Sequence, residues 1–415
     1  MSVAASPPSE GTPPKITSPL AVASFRALWL AATVSFIGSF VQDVAERWLI
    51  LDLTKSPLPS ALIQTVFVSA SLVMMLPAGI LADRHDRRLL VAISQATQAA
   101  VACGVGLLVL SGHVTPALLL CGAALLGLGM AFASPAWNAL IPDLVPRELV
   151  PDAVAINAVA FNIARAIGPA IGGVVLSTAG SAAAFLLNAA TFIAVLVTVM
   201  RFCPKGPTPT PAPLRTAFRE PLALVMHDIG MRSIFVAMTG FSLGASMVYA
   251  LTPAFGKTTL GASASAYGIM IGAMGLGAVI GAPALKRFRA WKEPRVVVAI
   301  NVLAFSLSAL LLASAKSVPL ACAILVPAGV GWTGAFSSCS ALAQLWTPDR
   351  LRARLLALYG MIHLGTWAIG SSIGGVLAAR YDVRTAMTAG AIVGTASGLL
   401  TLTLRLPSKF VAPAS

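Results

Sequence analysis

Charge is what this chain has least of. Asp, Glu, Lys and Arg make up 10% of its 415 residues, against 57% hydrophobic residues and a mean hydropathy of +0.87. Soluble domains are about a quarter charged, so this scarcity excludes an ordinary water-soluble globule and points to a polytopic membrane protein. The five cysteines (Cys103, Cys121, Cys203, Cys322 and Cys339) show no CxxC spacing, and four of them fall in apolar runs. That argues against a disulfide framework or a metal site and for small buried hydrophobes. No GxxxxGKS phosphate loop is present, so the chain is not expected to hydrolyse nucleotide, and no cofactor is expected. The first twenty residues lack the basic-then-apolar order of a cleaved signal peptide. A net charge of +14 would suit nucleic acid if the cations formed one patch, but they are scattered over loops, which excludes that partner.

What the chain does contain is a succession of long apolar runs. Residues 60–82 and 89–110 carry no charge and flank a charge-dense turn, 79–88. Each run is long enough to cross roughly 30 Å of hydrocarbon as a helix. Runs and breaks together predict twelve helices: 25–51, 60–82, 89–110, 115–138, 153–177, 182–200, 233–255, 264–285, 296–314, 319–345, 354–379 and 386–405. Proline-rich 203–213 reads as a linker. The expected organisation is a disordered tail (1–22), a six-helix half (23–201), a cytoplasmic linker (202–231), a second six-helix half (232–406) and a short tail (407–415). Lys and Arg number 21 on the side of the termini against 5 on the other, which predicts cytoplasmic termini in the inner membrane.

The chain also repeats itself at an offset of 202 residues. Gly79 maps to Gly281, Gly127 and Gly129 to Gly329 and Gly331, and Pro146 to Pro348. Gly168, Gly172 and Gly173 map to Gly370, Gly374 and Gly375. Six crossings return a chain to its starting side, so the copies share one orientation and should be related by an axis along the membrane normal.

Two motifs carry a family resemblance. Gly79, Asp83, Arg84, Arg87 and Arg88 stand in the pattern Gly-x-x-x-Asp-Arg-x-x-Arg-Arg, which resembles the loop between the second and third helices of major facilitator superfamily transporters. In that superfamily the loop is understood as a conformational latch; plain topogenic charge would also account for the arginines. The second copy has Leu285 where Asp83 would recur. Gly168-Pro169, followed by Gly172-Gly173, resembles the antiporter motif of drug–proton exporters. Small-residue helix packing is the plainer reading of the same glycines. With Pro146-Arg147-Glu148 upstream, the region is most similar to the branch containing enterobactin exporters and macrolide-efflux proteins. The resemblance implies an all-α membrane protein with twelve transmembrane helices in two six-helix halves.

Charges inside the spans are the candidate machinery. Ser35, Ser39, Gln42, Asp43, Glu46 and Arg47 fall within an arc of about 140° at 100° per residue, one stripe of helix 1. Such a stripe must face the bundle interior or a watery cavity. Asp43 and Arg47 are spaced to pair. That leaves Glu46 as the carboxylate for reversible protonation, with Arg165 a second buried cation able to pair with Asp43 or Glu46. A static salt-bridge network is the alternative. At the offset of 202 the second half has Ala245, Val248 and Tyr249 instead. Trp137, Tyr249, Phe336, Gln344, His363 and Trp367, with Gln42, are candidate lining of a substrate cavity. His363 is a candidate proton carrier or a hydrogen-bonded packing residue.

The expectation is therefore a secondary transporter, not an enzyme, that exports a drug-like compound or siderophore by proton antiport with alternating access. Its partners would be the small molecule, protons and membrane lipid, and the chain would act as a monomer. Uptake by proton symport and a non-transporting membrane sensor are the alternatives.

Overall fold

A computed structural model describes residues 18–82, 85–204 and 219–410. The described chain is helical throughout. In order the helices are α1 (Ala23–Thr54), α2 (Pro57–Ala82), α3 (Arg87–Leu110), α4 (Pro116–Leu144) and α5 (Val150–Phe202). There follow α6 (Arg219–His227), α7 (Ile229–Ala254), α8 (Ala264–Trp291), α9 (Pro294–Ala313), α10 (Val318–Leu345), α11 (Asp349–Arg380) and α12 (Val383–Thr403). Among the described residues, eleven segments are long and apolar enough to cross a membrane. One of them, α5, is folded back at Gly180 (φ 78°, ψ 174°), so it supplies two spans. This is a backbone conformation that only glycine adopts without strain. Twelve crossings result.

Several helices outrun the apolar stretches that announce them. α4 continues to Leu144, α8 to Trp291, and α11 begins at Asp349. Apolar runs mark what lies in hydrocarbon, whereas helical hydrogen bonding continues into the polar interface until a cap or a proline stops it. The short α6 falls inside the stretch expected to be linker and packs on α7 and α11.

The repeat seen in the sequence is a packing rule in three dimensions. A Cβ on Gly172 would sit 2.9 Å from the Val41 Cα of α1, and one on Gly374 would sit 3.0 Å from the Met247 Cα of α7. Their neighbours point elsewhere. Gly173 would meet the Ala264 carbonyl of α8 at 2.8 Å, and Gly375 would meet Ala61 of α2 at 2.8 Å. Adjacent residues on a helix are about 100° apart, so each glycine pair lets one span press on its own half and on the other half at once. The two seams between the halves are α5 against α8 and α2 against α11.

Side chains also join the two halves at the end of the bundle away from the chain termini, called here the far end. Thr65 Oγ1 lies 2.8 Å from Ser371 Oγ and 3.0 Å from Ser372 Oγ. Trp48 stacks on Tyr267 with ring centroids 5.8 Å apart. α7 finishes in a π-helical turn, Phe255–Thr259, which carries Lys257 across to Asp52, 2.5 Å away, and over the Trp48 ring.

Candidate functional site

Between the halves lies a cavity of about 710 Å³. It runs from beneath the far-end seal past mid-depth to Asn138 and Asn157, which are about two turns from the terminal-end limits of α4 and α5. The whole polar stripe of α1 lines it: Ser35, Ser39, Gln42, Asp43, Glu46 and Arg47.

Arg47 sits at the head of that stripe and is 2% exposed. Its Nε donates to Asp43 Oδ1 at 2.8 Å, one turn back on the same helix, and its Nη2 donates to Gln64 Oε1 of α2. The guanidinium lies over the Tyr249 ring of α7, 5.2 Å from the centroid. Tyr249 is the residue 202 positions after Arg47, so the two equivalents meet each other. Residues at equivalent positions touch only where they lie near the axis relating the halves, which places this contact close to that axis.

Glu46 is 6% exposed and forms no ion pair among the described residues; its own-helix neighbour Gln42 is its polar contact. Gln42 is held in turn by Asn188, whose Nδ2 donates to Gln42 Oε1 at 2.7 Å. Arg165 reaches the cavity from α5, but no carboxylate lies within ion-pair distance of it among the described residues. Its Nη2 donates instead to Thr333 Oγ1 of α10 at 3.3 Å, across the seam.

Of the aromatic and polar residues singled out as lining, Gln42, Trp137, Tyr249 and Trp367 face the cavity. Phe336, Gln344 and His363 do not. Gln344 is exposed near the terminal end of α10. His363 Nδ1 is 2.8 Å from Ser242 Oγ, and its ring packs between Phe336 and Trp367. Five helices held more of the site than their apolar sequences suggested. Trp332 of α10 completes an aromatic wall with Tyr249 and Trp367, with centroids 5.0 to 5.8 Å apart. From the first half, Gln64, Gln95, Gln98, Asn138, Asn157 and Asn162 form a wall of amides, interleaved with the rings of Phe36, Phe40, Phe67, Trp137, Phe161 and Phe192. Lone Asn and Gln residues inside apolar runs are the signal that would have marked that wall.

The glycines of the antiporter-like motif lie at the site's edge. Gly168 meets Phe40 of α1, Pro169 lines the cavity, and Gly172 and Gly173 form the contacts described above. In the latch-like motif Gly79 lies in the last turn of α2, while Asp83 and Arg84 lie outside the described residues. Arg87 Nη1 is 3.0 Å from Asp143 Oδ2 of α4, and Arg88 donates to the Met200 carbonyl, both within the first half.

Comparisons with known proteins agree with this architecture. Residues 15–412 match the family described as transmembrane secretion effector. The chain is 30% identical over 383 residues to the enterobactin exporter EntS of Salmonella typhimurium, covering 88% of this chain and 89% of that one. It is also 30% identical over 380 residues to the enterobactin exporter EntS of Escherichia coli O1:K1, covering 88% of each. Among solved structures it resembles a bacterial homologue of the human lysosomal transporter Spinster in an inward-facing, occupied conformation. The TM-score is 0.75 at 15% identity, over 94% of this chain and 98% of that one. The nucleoside transporter NupG gives 0.74 at 14% identity, over 92% and 99%.

Proposed function

The chain belongs to the transmembrane secretion effector family of major facilitator transporters, and on that premise we propose that it exports a small molecule by proton antiport. It is a multi-pass membrane transporter and not an enzyme. The substrate is a drug-like compound or a siderophore, and enterobactin, named for its relatives, is the first to test. In this reading the termini are cytoplasmic in the inner membrane, so the far-end seal closes the outside and the cavity belongs to an inward-facing state. The loop at 79–88 serves as the latch on the opposite side.

One observation carries the coupling. Asp43 and Glu46 share a cavity wall, but Arg47 is bonded to Asp43 and not to Glu46. A carboxylate that shuttles a proton has to exist charged and neutral in turn, so it cannot be held permanently by a cation. Glu46 meets that condition and Asp43 does not. Glu46 therefore exchanges a proton for substrate as the cavity alternates, while the Asp43–Arg47 pair keeps α1 in register with α2.

The test uses proteoliposomes carrying an imposed proton gradient. Glu46→Gln is expected to abolish gradient-driven accumulation of substrate while leaving substrate binding and gradient-free exchange intact. Uphill transport by Glu46→Gln at the wild-type rate would move the coupling site elsewhere.

A further inference from the structure

We infer that the segment after α12, residues 404–410, is a built-in wedge. Its Phe410 covers an arginine at the terminal end of the seam between the halves and biases the transporter toward the state seen here. The inference rests on the alternating-access reading above, and on neither the substrate nor the coupling ion.

The segment is seated on the second half. Leu404, Leu406 and Phe410 pack against the core of that half. Pro407 is buried beside Gly230 of α7, where a Cβ would come within 3.6 Å of the proline ring. Trp346, at the C-cap of α10, donates from Nε1 to the Lys409 carbonyl at 3.2 Å. The path ends with the Phe410 ring against Arg289 of α8, 5.2 Å between ring centroid and guanidinium carbon.

Arg289 lacks the partner that its counterpart has. It stands 202 residues after Arg87, whose guanidinium is paired with Asp143 of α4. The position 202 after Asp143 is Leu345, so no acid recurs there. Arg289 Nη2 donates instead to Ser337 and Ser338 of α10, at 2.8 and 3.0 Å. Neutral hydroxyls leave the positive charge unbalanced, and one ring face compensates it weakly. Arg289 is therefore held, yet open to a stronger partner.

An acid stands across the seam. Gly275 of α8 presses on α5, where a Cβ would meet the Ala166 Cα at 2.5 Å. From Gly275 to Arg289 is 14 residues toward the terminal end, and from Ala166 to Asp152, in the first turn of α5, is 14 in the same direction. At 1.5 Å and 100° per residue, both lie about 21 Å from that contact and within about 40° of the faces that make it. The two are level on either side of the seam, but Asp152 is exposed and forms no ion pair among the described residues. Closing the terminal-end mouth has to bring these helix ends together. While Phe410 covers Arg289, α5 meets the ring first; once Phe410 withdraws, Arg289 and Asp152 can pair and favour the closed mouth.

The test uses the full-length protein in proteoliposomes, without substrate or gradient, and an impermeant thiol reagent applied to one side at a time. A cysteine placed at Asn138 reports the terminal-end mouth, and one placed at Gln64 reports the far end. Each rate is taken above that of the chain with its native cysteines only. In Phe410→Ala the ratio of the far-side rate to the terminal-side rate is expected to rise about fivefold. Trp346→Phe, which keeps a ring and loses only the N–H to Lys409, should raise it about twofold. Phe410→Tyr should leave it unchanged. Adding Asp152→Asn to Phe410→Ala should return the ratio at least halfway to wild type. An unchanged or lowered ratio in both Phe410→Ala and Trp346→Phe overturns the wedge, and a rise that Asp152→Asn leaves untouched overturns the pairing behind it. If Gln64 never labels from the far side in any variant, alternating access itself fails and the inference with it. Failure of the proton-antiport reading alone leaves the ratio, and the wedge, standing.

Discussion

The two halves of this transporter share a backbone plan and divide the chemistry. The glycines that set helix spacing recur at the offset of 202, and their close contacts recur with them: Gly172 and Gly173 against α1 and α8, Gly374 and Gly375 against α7 and α2. The side chains facing the cavity do not recur. The first half presents Asp43, Glu46, Arg47, Arg165 and the amides, beside rings such as Phe36, Trp137 and Phe161, and the second presents Tyr249, Trp332 and Trp367 with no ionised acid or base. At the equivalents of Asp43 and Glu46 stand Ala245 and Val248. Symmetry is thus kept in the two seams between the halves and dropped in the lining of the cavity. Arg47 and Tyr249, equivalents in contact, mark the place where the two chemistries meet.

The sharpest way to break the comparison is to exchange that contact. Arg47→Met leaves Asp43 and Gln64 without their donor and Tyr249 without its cation. Asp43 keeps about a third of its surface toward the cavity, so the cost is expected at about 3 kcal/mol, the lower end for a broken buried pair. The yield of folded protein on size exclusion should fall severalfold. Tyr249→Phe retains the ring face and should melt within a few degrees of wild type. An equal loss in both variants would mean that the tyrosine hydroxyl, and not the ring, is what Arg47 requires.

The turn between the last two spans of each half offers a smaller contrast. In the first half it is made by Gly180 at positive φ, and 202 residues on it is made by Asp382, the N-cap of α12. Gly180→Ala forces a side chain into a strained backbone and should cost about 2 kcal/mol. Asp382→Ala loses a cap and should cost about 1 kcal/mol, read as a fall in melting temperature. The two differ in pH response. The Asp382 carboxyl is held below its usual range by hydrogen bonds from the Thr385 hydroxyl and N–H. A lowered carboxyl contributes above its unfolded pKa of about 3.9 and loses that contribution as pH falls through the folded value. The gap between wild type and Asp382→Ala should therefore hold at neutral pH and narrow below about pH 4. The Gly180→Ala gap should not change over that range.

The smallest effect is expected at the far-end seal. Asp52 and Lys257 are partly exposed, so removing their pair with Asp52→Asn is worth about 0.5–1 kcal/mol in the balance between closed and open. Labelling of a cysteine placed at Gln64 by an impermeant thiol reagent from the far side should rise about twofold to fivefold. No change would show that the Trp48–Tyr267 stack and the Thr65 bonds hold the seal without the ion pair.

Much of the fold was legible because the bilayer leaves a sequence few options. A charge-free run of twenty residues has to be a helix, and the run lengths, the loop charges and the glycine offset together specify twelve spans in two like halves. The polar stripe of α1 was legible for the same reason, since charge at that depth must turn away from lipid. The pairing of Asp43 with Arg47 followed from one turn of helix. The suggested partnership of Arg165 with Asp43 or Glu46 did not form. Arg165 reaches Thr333 across the seam instead, because the packing of Gly275 of α8 against Arg165 and Ala166 sets its height.

By itself, then, the sequence determined what local geometry and the membrane enforce: which segments cross, how the halves repeat, and which helix carries its charge inward. Tertiary structure alone decided which residues face one another across the cavity. That depends on the rotation and depth of each helix in the bundle, set by many weak packing contacts between separate helices. Trp332 looked like any tryptophan in an apolar run until α10 turned it toward Tyr249 and Trp367, and the packing reading of His363, one of two the sequence offered, rests on Ser242 and the two rings beside it.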